Sequence, residues 1–473
     1  MAADEHAPNI VFIMTDTQRY DMLGCNGSTF CQTPQLDRLA AGGLNFDRAY
    51  TTTPLCTPAR AALFTGMYAS SSGAAANQIP LFNNVRNTGQ IFEQAGYKTG
   101  HIGKWHLDGP EGGYYGTGLA PEGFPQEVWY DGKCFQEEVG TEGFKRWKKG
   151  LDLQDQDCWA ARVAQRAESF IAEHAAGKAP FYLIVSIDEP HGPSSAPEEY
   201  YNMYKGTQRQ RSPNMDDTLE GKPAVQAAFE EYFNHNGRVP AGEDPNNNPR
   251  YYGCNSFADT QIGRVIDAVD SHCPDNTVIV YTSDHGDHAG SHGLLSKGPT
   301  MYEEITRIPL IVRAPGITVP GSRCERLFSH IDLAPTLFGL AGIEIPEQFE
   351  GGDAGAMLAE PQTSCADAIF MEYYRFGLPH HTRWGFQPIK CIRTDRYKLV
   401  INLLDRDELY DLQQDPGEMI NCIDNKSMAA IRGDLHDRLL DWMDQRRDPL
   451  RGNGWWQRSW RPEHRMNPRH LEK

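Results

Sequence analysis

The sequence predicts an α/β protein: a large, mostly parallel central sheet flanked by helices, then a smaller C-terminal unit with a short antiparallel sheet and a helix. Three observations predict it. Apolar runs such as "PNIVFIMTD" and "PFYLIVSIDEP" are continuous rather than alternating, as in strands buried on both faces. Amphipathic helical segments alternate with those runs, the pattern of parallel crossovers. Near residue 370 this rhythm gives way to short strands separated by turns.

The elements follow in order. The first buried strand ends at Asp16. "TPQLDRLAAGG" reads as a helix with Thr33 as N-cap, Pro34 in its first turn and Gly42 or Gly43 as its stop. "TGQIFEQAGYKTGHIGK" reads as helix, glycine stop, then strand. "PFYLIVSIDEPHGP" and "NTVIVYTSDHGD" are further buried strands on either side of the amphipathic helix "FADTQIGRVIDAVD". "RIPLIVRAPG" adds a strand and "SHIDLAPTLFGLAG" a helix. The stretches near 108–150 and 205–250 are polar and rich in Gly, Pro and Asn, and read as long loops. "MEYYRFG", "IKCIRTD" and "YKLVINLL" are short strands suited to an antiparallel sheet. "SMAAIRGDLHDRLLDWMDQRR" has helical apolar spacing. The division expected is residues 1–370 and residues 371–473, the second ending in a Trp/Arg-rich tail. Those tryptophans are expected to pack on the parent unit or on a second subunit, so a homo-oligomer through the tail is anticipated.

The chain has 473 residues, 39% hydrophobic and 23% charged, enough apolar material for a sizeable core. Its 45 basic and 63 acidic residues give a formal charge of -18, a poor balance for coating nucleic acid or an anionic membrane. No apolar run is long enough for a transmembrane helix. The N-terminus lacks a basic start and a long apolar stretch, so a cytoplasmic location is expected, or a periplasmic or secreted one if a signal was removed. The 11 cysteines show no paired metal-finger spacing and read mostly as buried free thiols.

Ligands of open parallel sheets bind outside the carboxyl ends of strands. Chemistry-bearing residues sit there. Asp16 ends one strand; Lys104 and His106 in "GKWH" follow another; His191 in "DEPHGP" and Asp284 with His285 in "SDHGDH" follow two more. Two carboxylates and an imidazole suit a divalent cation, with oxygen ligands favouring calcium, magnesium or manganese over zinc. Lysines and histidines around it suit an anionic ester whose leaving oxygen needs a proton, a sulfate or a phosphate. Singly, each residue has a plainer reading: Cys56 as core, Lys297 as a solvated lysine, His106 and His191 as structural histidines. Only their conjunction points to a site.

"CTPARAALFTG" resembles the signature of the formylglycine-dependent sulfatases, in Cys56, Pro58, Ala59, Arg60, Thr65 and Gly66. "FIMTDTQR", "GKWH", "PHGP", "TSDHG", "SKG", "SHIDLAPT" and "ELYDLQQDPGEMIN" follow in the family's order, so the resemblance covers nearly the whole chain. It implies an alkaline phosphatase-like fold with a C-terminal subdomain. It implies that a maturing enzyme converts Cys56 to formylglycine, whose gem-diol at the metal attacks sulfur and later expels sulfate. The metal ligands implied are Asp16, Cys56, Asp284 and His285, with calcium first and manganese or magnesium behind. Arg60 would hold the diol, Lys104 the diol and sulfate. His106 would be the base that regenerates the aldehyde, and His191 with Lys297 would bind sulfate and assist the leaving oxygen. Two departures stand out: Thr17 where many members have a second Asp, and His285 where many have Asn. Related phosphonate monoester hydrolases share the Asp-His pattern. Substrates implied are sulfated sugars, with aryl sulfates as models. A candidate rim is His380, His381, Arg383 and Trp384 in "RFGLPHHTRWGF", equally readable as a packed loop. The alternatives are a phosphonate monoester or phosphodiester hydrolase with the same site, or a silent glycan-binding protein.

Overall fold

The computed structural model describes residues 7–150, 152–207, 211–235, 248–377 and 385–464. An eight-stranded sheet forms the centre. Its strands are β1 (Asn9–Asp16), β2 (Leu44–Tyr50), β3 (Lys98–Gly103), β4 (Phe181–Pro190), β5 (Thr277–Ser283), β6 (Arg307–Ile308), β7 (Leu310–Arg313) and β8 (Ser322–Ser329). The order is β3-β4-β1-β5-β7-β2-β6, with β8 beside β2. β3, β4, β1 and β5 run parallel; β7 is antiparallel to β5 and β2.

The continuous apolar runs have the expected cause. In β1, Ile10, Phe12 and Met14 face one layer with Phe64, Phe92, Tyr182 and Phe338. Val11 and Ile13 face the other, with Val163, Ile171, Ile262 and Val265. A strand with helices on both faces needs apolar side chains at every position, and each fully buried Ile or Val contributes roughly 1.5–3 kcal/mol. The helices Trp159–His174 and Pro249–His272 cover the second face.

A second sheet, β12-β11-β10-β9, is antiparallel throughout: β9 (Ala368–Tyr373), β10 (Ile389–Thr394), β11 (Tyr397–Asn402) and β12 (Glu408–Asp411). One face packs Met371, Cys391 and Val400 against Tyr50, Leu55 and Leu327 of the large sheet's side. The other packs Ile392, Leu399 and Ile401 against Leu435, Leu439 and Met443 of the helix Ala429–Gln445. Trp455 and Trp456 of the tail are buried in that same cluster, within their own chain.

Two local readings need correction. Thr33 occupies the N-cap position of the helix Pro34–Ala41 as expected, but its side chain makes no capping bond. Its hydroxyl instead accepts from the Gly24 amide at 2.9 Å. The first turn is capped from a distance: Asp259 takes the amide hydrogens of Gln35 and Leu36 at 3.0 and 2.9 Å. A tertiary carboxylate on two amides outcompetes the local hydroxyl. The stretches read as long loops also hold helices, Gly132–Lys149 (broken at Gly140) and Ala224–His235. The first is pinned by Phe135, stacked on Trp159, and by Trp147, edge-on to both, contacts that local composition does not reveal. Among the described residues, no helix is long and apolar enough to cross a membrane.

Candidate active site

Parallel register brings the strand ends together. Asp16 lies opposite Pro190, Thr15 opposite Ser283, and Gly103 opposite Ser186. The chain then turns sharply: Thr17 and His106 take left-handed φ values of 72° and 62°. Non-glycine residues hold that conformation only where the surroundings enforce it, which is commonest at functional sites. Gly103 is required for the same approach, since a Cβ there would stand 1.9 Å from the Ser186 carbonyl oxygen.

The helix Cys56–Thr65 starts at the same edge and is buried along its whole length. Its Ala-rich sequence makes it a good helix, and Gly66 ends it in the left-handed conformation. Cys56 Sγ lies 3.2 Å from His285 Nε2 and 3.7 Å from Asp16 Oδ1. Arg60, one turn on, shares its face. Its guanidinium bonds Asp16 Oδ2 at 3.1 Å, Asp284 Oδ2 at 3.0 Å, the Lys104 carbonyl at 2.7 Å and Ser186 Oγ at 2.8 Å.

One donor atom from each of Asp16, Cys56, Asp284 and His285 lies within 4.8 Å of the others, all buried. His285 Nδ1 is taken by the Gly286 carbonyl at 2.8 Å, which leaves Nε2 toward the cluster. Two carboxylates and an imidazole fit a divalent cation. Electrostatics agree: burial and the Asp16 charge push Asp284 up to about 7, a repulsion that a cation relieves. Burial would also raise Asp16, but Lys104, His191, Lys297 and Arg60 hold it well below the usual range. The Cys56 thiol is pushed up by burial and by Asp16, the reverse of a working thiolate.

Cations complete the cluster. Lys104 Nζ stands 2.8 Å from Asp16 Oδ2 and 2.9 Å from Asp188 Oδ1. Lys297 Nζ donates to Thr17 Oγ1 at 3.4 Å, and Thr17 donates on to Asp16 Oδ1 at 2.5 Å. Burial works against the charged form of Lys297, but Cys56 and Asp16 raise its proton affinity. Burial and Lys104 hold His106 well below its usual value, and neither of its ring nitrogens has a hydrogen-bond partner. Burial, Lys297 and Lys104 likewise push His191 well below its usual value. The side chains of Asp16, Arg60, Lys104 and His285 are 0% exposed, whereas His191 is 21% exposed. It opens into a cleft of about 450 Å³ lined by Thr17, Tyr251, Tyr252, Asp287 and Lys297.

The structure brings Asp16, Cys56, Arg60, Lys104, His106, His191, Asp284, His285 and Lys297 together at this edge of the sheet. His380, His381, Arg383 and Trp384 lie outside the described residues. Two neighbouring residues escaped sequence reasoning: Asp188, beside Lys104, and Tyr114, whose hydroxyl donates to Asp188 Oδ1 at 2.5 Å. Asp188 sits in the quoted "DEPHGP", and its place three residues before His191 was the available signal. Tyr114 lies in the glycine-rich "GGYYGTG", which carries no signal.

Comparison with known proteins agrees with this geometry. The sulfatase family model matches residues 8–343, and the model of the N-sulphoglucosamine sulphohydrolase C-terminal region matches residues 290–445. The chain is 42% identical over 470 residues to the uncharacterized sulfatase YidJ of Escherichia coli (strain K12), covering 97% of this chain and 91% of that one. It is 26% identical over 503 residues to an N-acetylglucosamine-6-O-sulfatase of Bacteroides thetaiotaomicron, covering 93% and 87%. Among solved structures, a phosphonate monoester hydrolase from Silicibacter pomeroyi shares the fold with a TM-score of 0.78, 24% identity and coverage of 93% and 96%. A buried Cys-x-Pro-Ala-Arg helix start facing two aspartates and a histidine, in a chain matched along most of its length, places this protein in the sulfatase family, among the sulfuric ester hydrolases.

Proposed function

We propose that the protein hydrolyses a sulfate monoester of a sugar to the alcohol and inorganic sulfate, using formylglycine made from Cys56. The observation that carries this reading is the position of Cys56. It begins a buried helix, faces two aspartates and a histidine, and has Arg60 one turn behind it. A thiol held neutral by burial is a poor nucleophile there, while a hydrated aldehyde has two hydroxyls: one to attack and one to release the product.

Asp16, Asp284, His285 and the oxidised side chain at 56 would hold a divalent cation, calcium on the oxygen-rich donor set. When bound, that cation lowers the proton affinity of an oxygen nucleophile and screens sulfate charge. The chain's own residues do the rest. Arg60 holds Asp16 and Asp284 in one orientation. Lys104 and Lys297 supply positive charge where the sulfate oxygens gather. His106, neutral and without a partner, takes a proton from the second hydroxyl at Nε2 or Nδ1 when sulfate departs. His191 and Lys297 line the cleft, where they meet the ester oxygen as it leaves. A maturing enzyme is required as a partner. It must reach Cys56, which is 1% exposed in the folded chain. Residues 1–370 would form the catalytic unit and 371–473 the appended one.

The sugar reading is supported by the activity named for the Bacteroides relative. A second reading has its own support in the Asp284-His285 pair and in Thr17, which lower the anionic charge at the metal: hydrolysis of a phosphonate monoester or phosphodiester. The test is a side-by-side assay of matured, calcium-loaded protein on 4-nitrophenyl sulfate, sulfated sugars and a phenyl phosphonate monoester. Faster sulfate release is expected; a faster phosphonate reaction replaces the first reading with the second.

A further inference from the structure

We propose that Asp287 is a specificity-determining residue of the cleft: it accepts a hydrogen bond from an ammonium or hydroxyl on the alcohol half of the ester, and it turns away alcohols that carry a carboxylate or a second sulfate. This rests on the sulfate-ester reading above. The cleft of about 450 Å³ reaches the reacting groups at Thr17, His191 and Lys297, so the alcohol half of an ester cleaved there extends into it. Asp287 is the one carboxylate among the described residues that line it. That carboxylate is built in place. Its Oδ1 accepts the amide hydrogens of Ala289 at 2.8 Å and Ser296 at 3.0 Å. Its Oδ2 makes no hydrogen bond or ion pair among the described residues and stays open.

Neighbouring groups are engaged elsewhere. Arg19 meets this residue at the backbone, donating to the Asp287 carbonyl at 3.3 Å, and pairs its Nε with Asp21 at 2.7 Å. The Tyr251 hydroxyl donates to the Thr17 carbonyl at 2.8 Å, and Ser194 Oγ to the Pro190 carbonyl at 2.9 Å. Asn248 Oδ1 caps its helix on the Tyr251 amide at 3.1 Å. Nor does Asp287 join the four residues gathered around the candidate cation site. A fixed, negatively charged acceptor favours a donor opposite it and penalises a like charge. An alcohol that leaves it unpaired loses binding. The esters that fit are those of neutral or amino sugars, not of uronates or multiply sulfated sugars.

Three aryl sulfates test this: 4-(2-aminoethyl)phenyl, 4-(2-hydroxyethyl)phenyl and 4-(2-carboxyethyl)phenyl sulfate. Two methylenes separate each end group from the ring, so the leaving phenols are alike and the end group is what differs. For matured, calcium-loaded wild type at low ionic strength, kcat/KM is expected to fall in that order, with a roughly 10–100-fold span from ammonium to carboxylate. Asp287→Asn keeps an oxygen for the two amides and puts a nitrogen donor in place of Oδ2. In that variant the span should shrink to about threefold or less. Because the span is a ratio, a general loss of activity cancels. A wild-type span below about threefold, a reversed order, or a span that survives Asp287→Asn overturns the proposal. An independent readout needs no turnover: calorimetric binding of the three esters to calcium-loaded protein whose Cys56 is still a thiol. The same order is expected there, and its loss in Asp287→Asn; equal binding of all three to the wild-type sequence overturns the proposal. Sulfate release from none of the esters would instead sink the sulfate-ester reading, and the binding order would still judge Asp287.

Discussion

Lys104 and Lys390 are both lysines whose side chains are 0% exposed, each between two carboxylates, and they do opposite things. Lys390 extends from β10 toward the end of the helix Ala429–Gln445. It donates to Glu372 and to Tyr374 at 2.6 Å each, and to Asp448. An ammonium has three hydrogens, and all three are used. Lys104 has two carboxylate oxygens, of Asp16 and Asp188, for its three hydrogens, and His106 beside it has both ring nitrogens unpartnered. Buried polar groups normally find partners because leaving one unmade costs about 1–3 kcal/mol. A saturated cluster is finished structure. An unsaturated one holds capacity for something that arrives later. Unsaturation needs its context, however: His101 also has two unpartnered nitrogens, but it is packed among Phe64, Trp105, Phe124 and Trp129, where no polar ligand fits.

The contrast can be broken most forcefully at the active site. Cys56→Ala is expected to lower turnover by about 10⁴-fold or more while leaving the melting temperature nearly unchanged. Steady-state sulfate release and calorimetry on one preparation check both halves. Lys104→Met should reduce kcat by about 10²–10³-fold, with a modest stability change, since Arg60 and Lys297 still face Asp16. Lys390→Met should do the reverse. It removes the buried cation from Asp448 and the nearer of two cations from Glu372, and should cost about 3–5 kcal/mol of stability, read by urea unfolding, with kcat of the folded fraction unchanged. Equal behaviour of the two variants would erase the distinction between saturated and unsaturated clusters.

The pH dependence sharpens the same point at lower amplitude. Burial opposes ionisation of Glu372, but Lys390 and Arg446 outweigh it and hold its carboxyl at about 2. A carboxyl lowered on folding contributes stability that is fully present above its ordinary value and is lost as pH falls toward the folded value. Roughly 3 kcal/mol should therefore disappear between about pH 5 and pH 2. Glu372→Gln should flatten unfolding free energy across that window. A smaller effect concerns the metal. Chelation should abolish turnover and lower the melting temperature by a few degrees, and calcium should restore both, because a ligand that binds only the native state stabilises it.

Much of this was legible in the sequence, for a physical reason. β1, β4 and β5 are buried on both faces, so their apolar runs are unbroken, and a parallel sheet puts its chemistry at the strand ends. Asp16, Lys104, His191 and Asp284 could thus be grouped before any geometry was known. The cap on the first helix could not, because it comes from Asp259, more than 200 residues away. Nor could Tyr114: a tyrosine between glycines looks like any surface turn until the fold sets its hydroxyl between Asp188 and His191. Packing also made helices from stretches whose glycines and polar residues suggested loops.

The central claim is that activity belongs to the modified form of Cys56. The direct measurement pairs two numbers across preparations matured to different extents. One is the fraction of chains in which the peptide containing residue 56 has exchanged sulfur for oxygen with loss of two hydrogens, read by mass spectrometry. The other is the rate of sulfate release per chain. A line through the origin is the predicted result, and sulfate release from protein whose Cys56 is entirely thiol would contradict it.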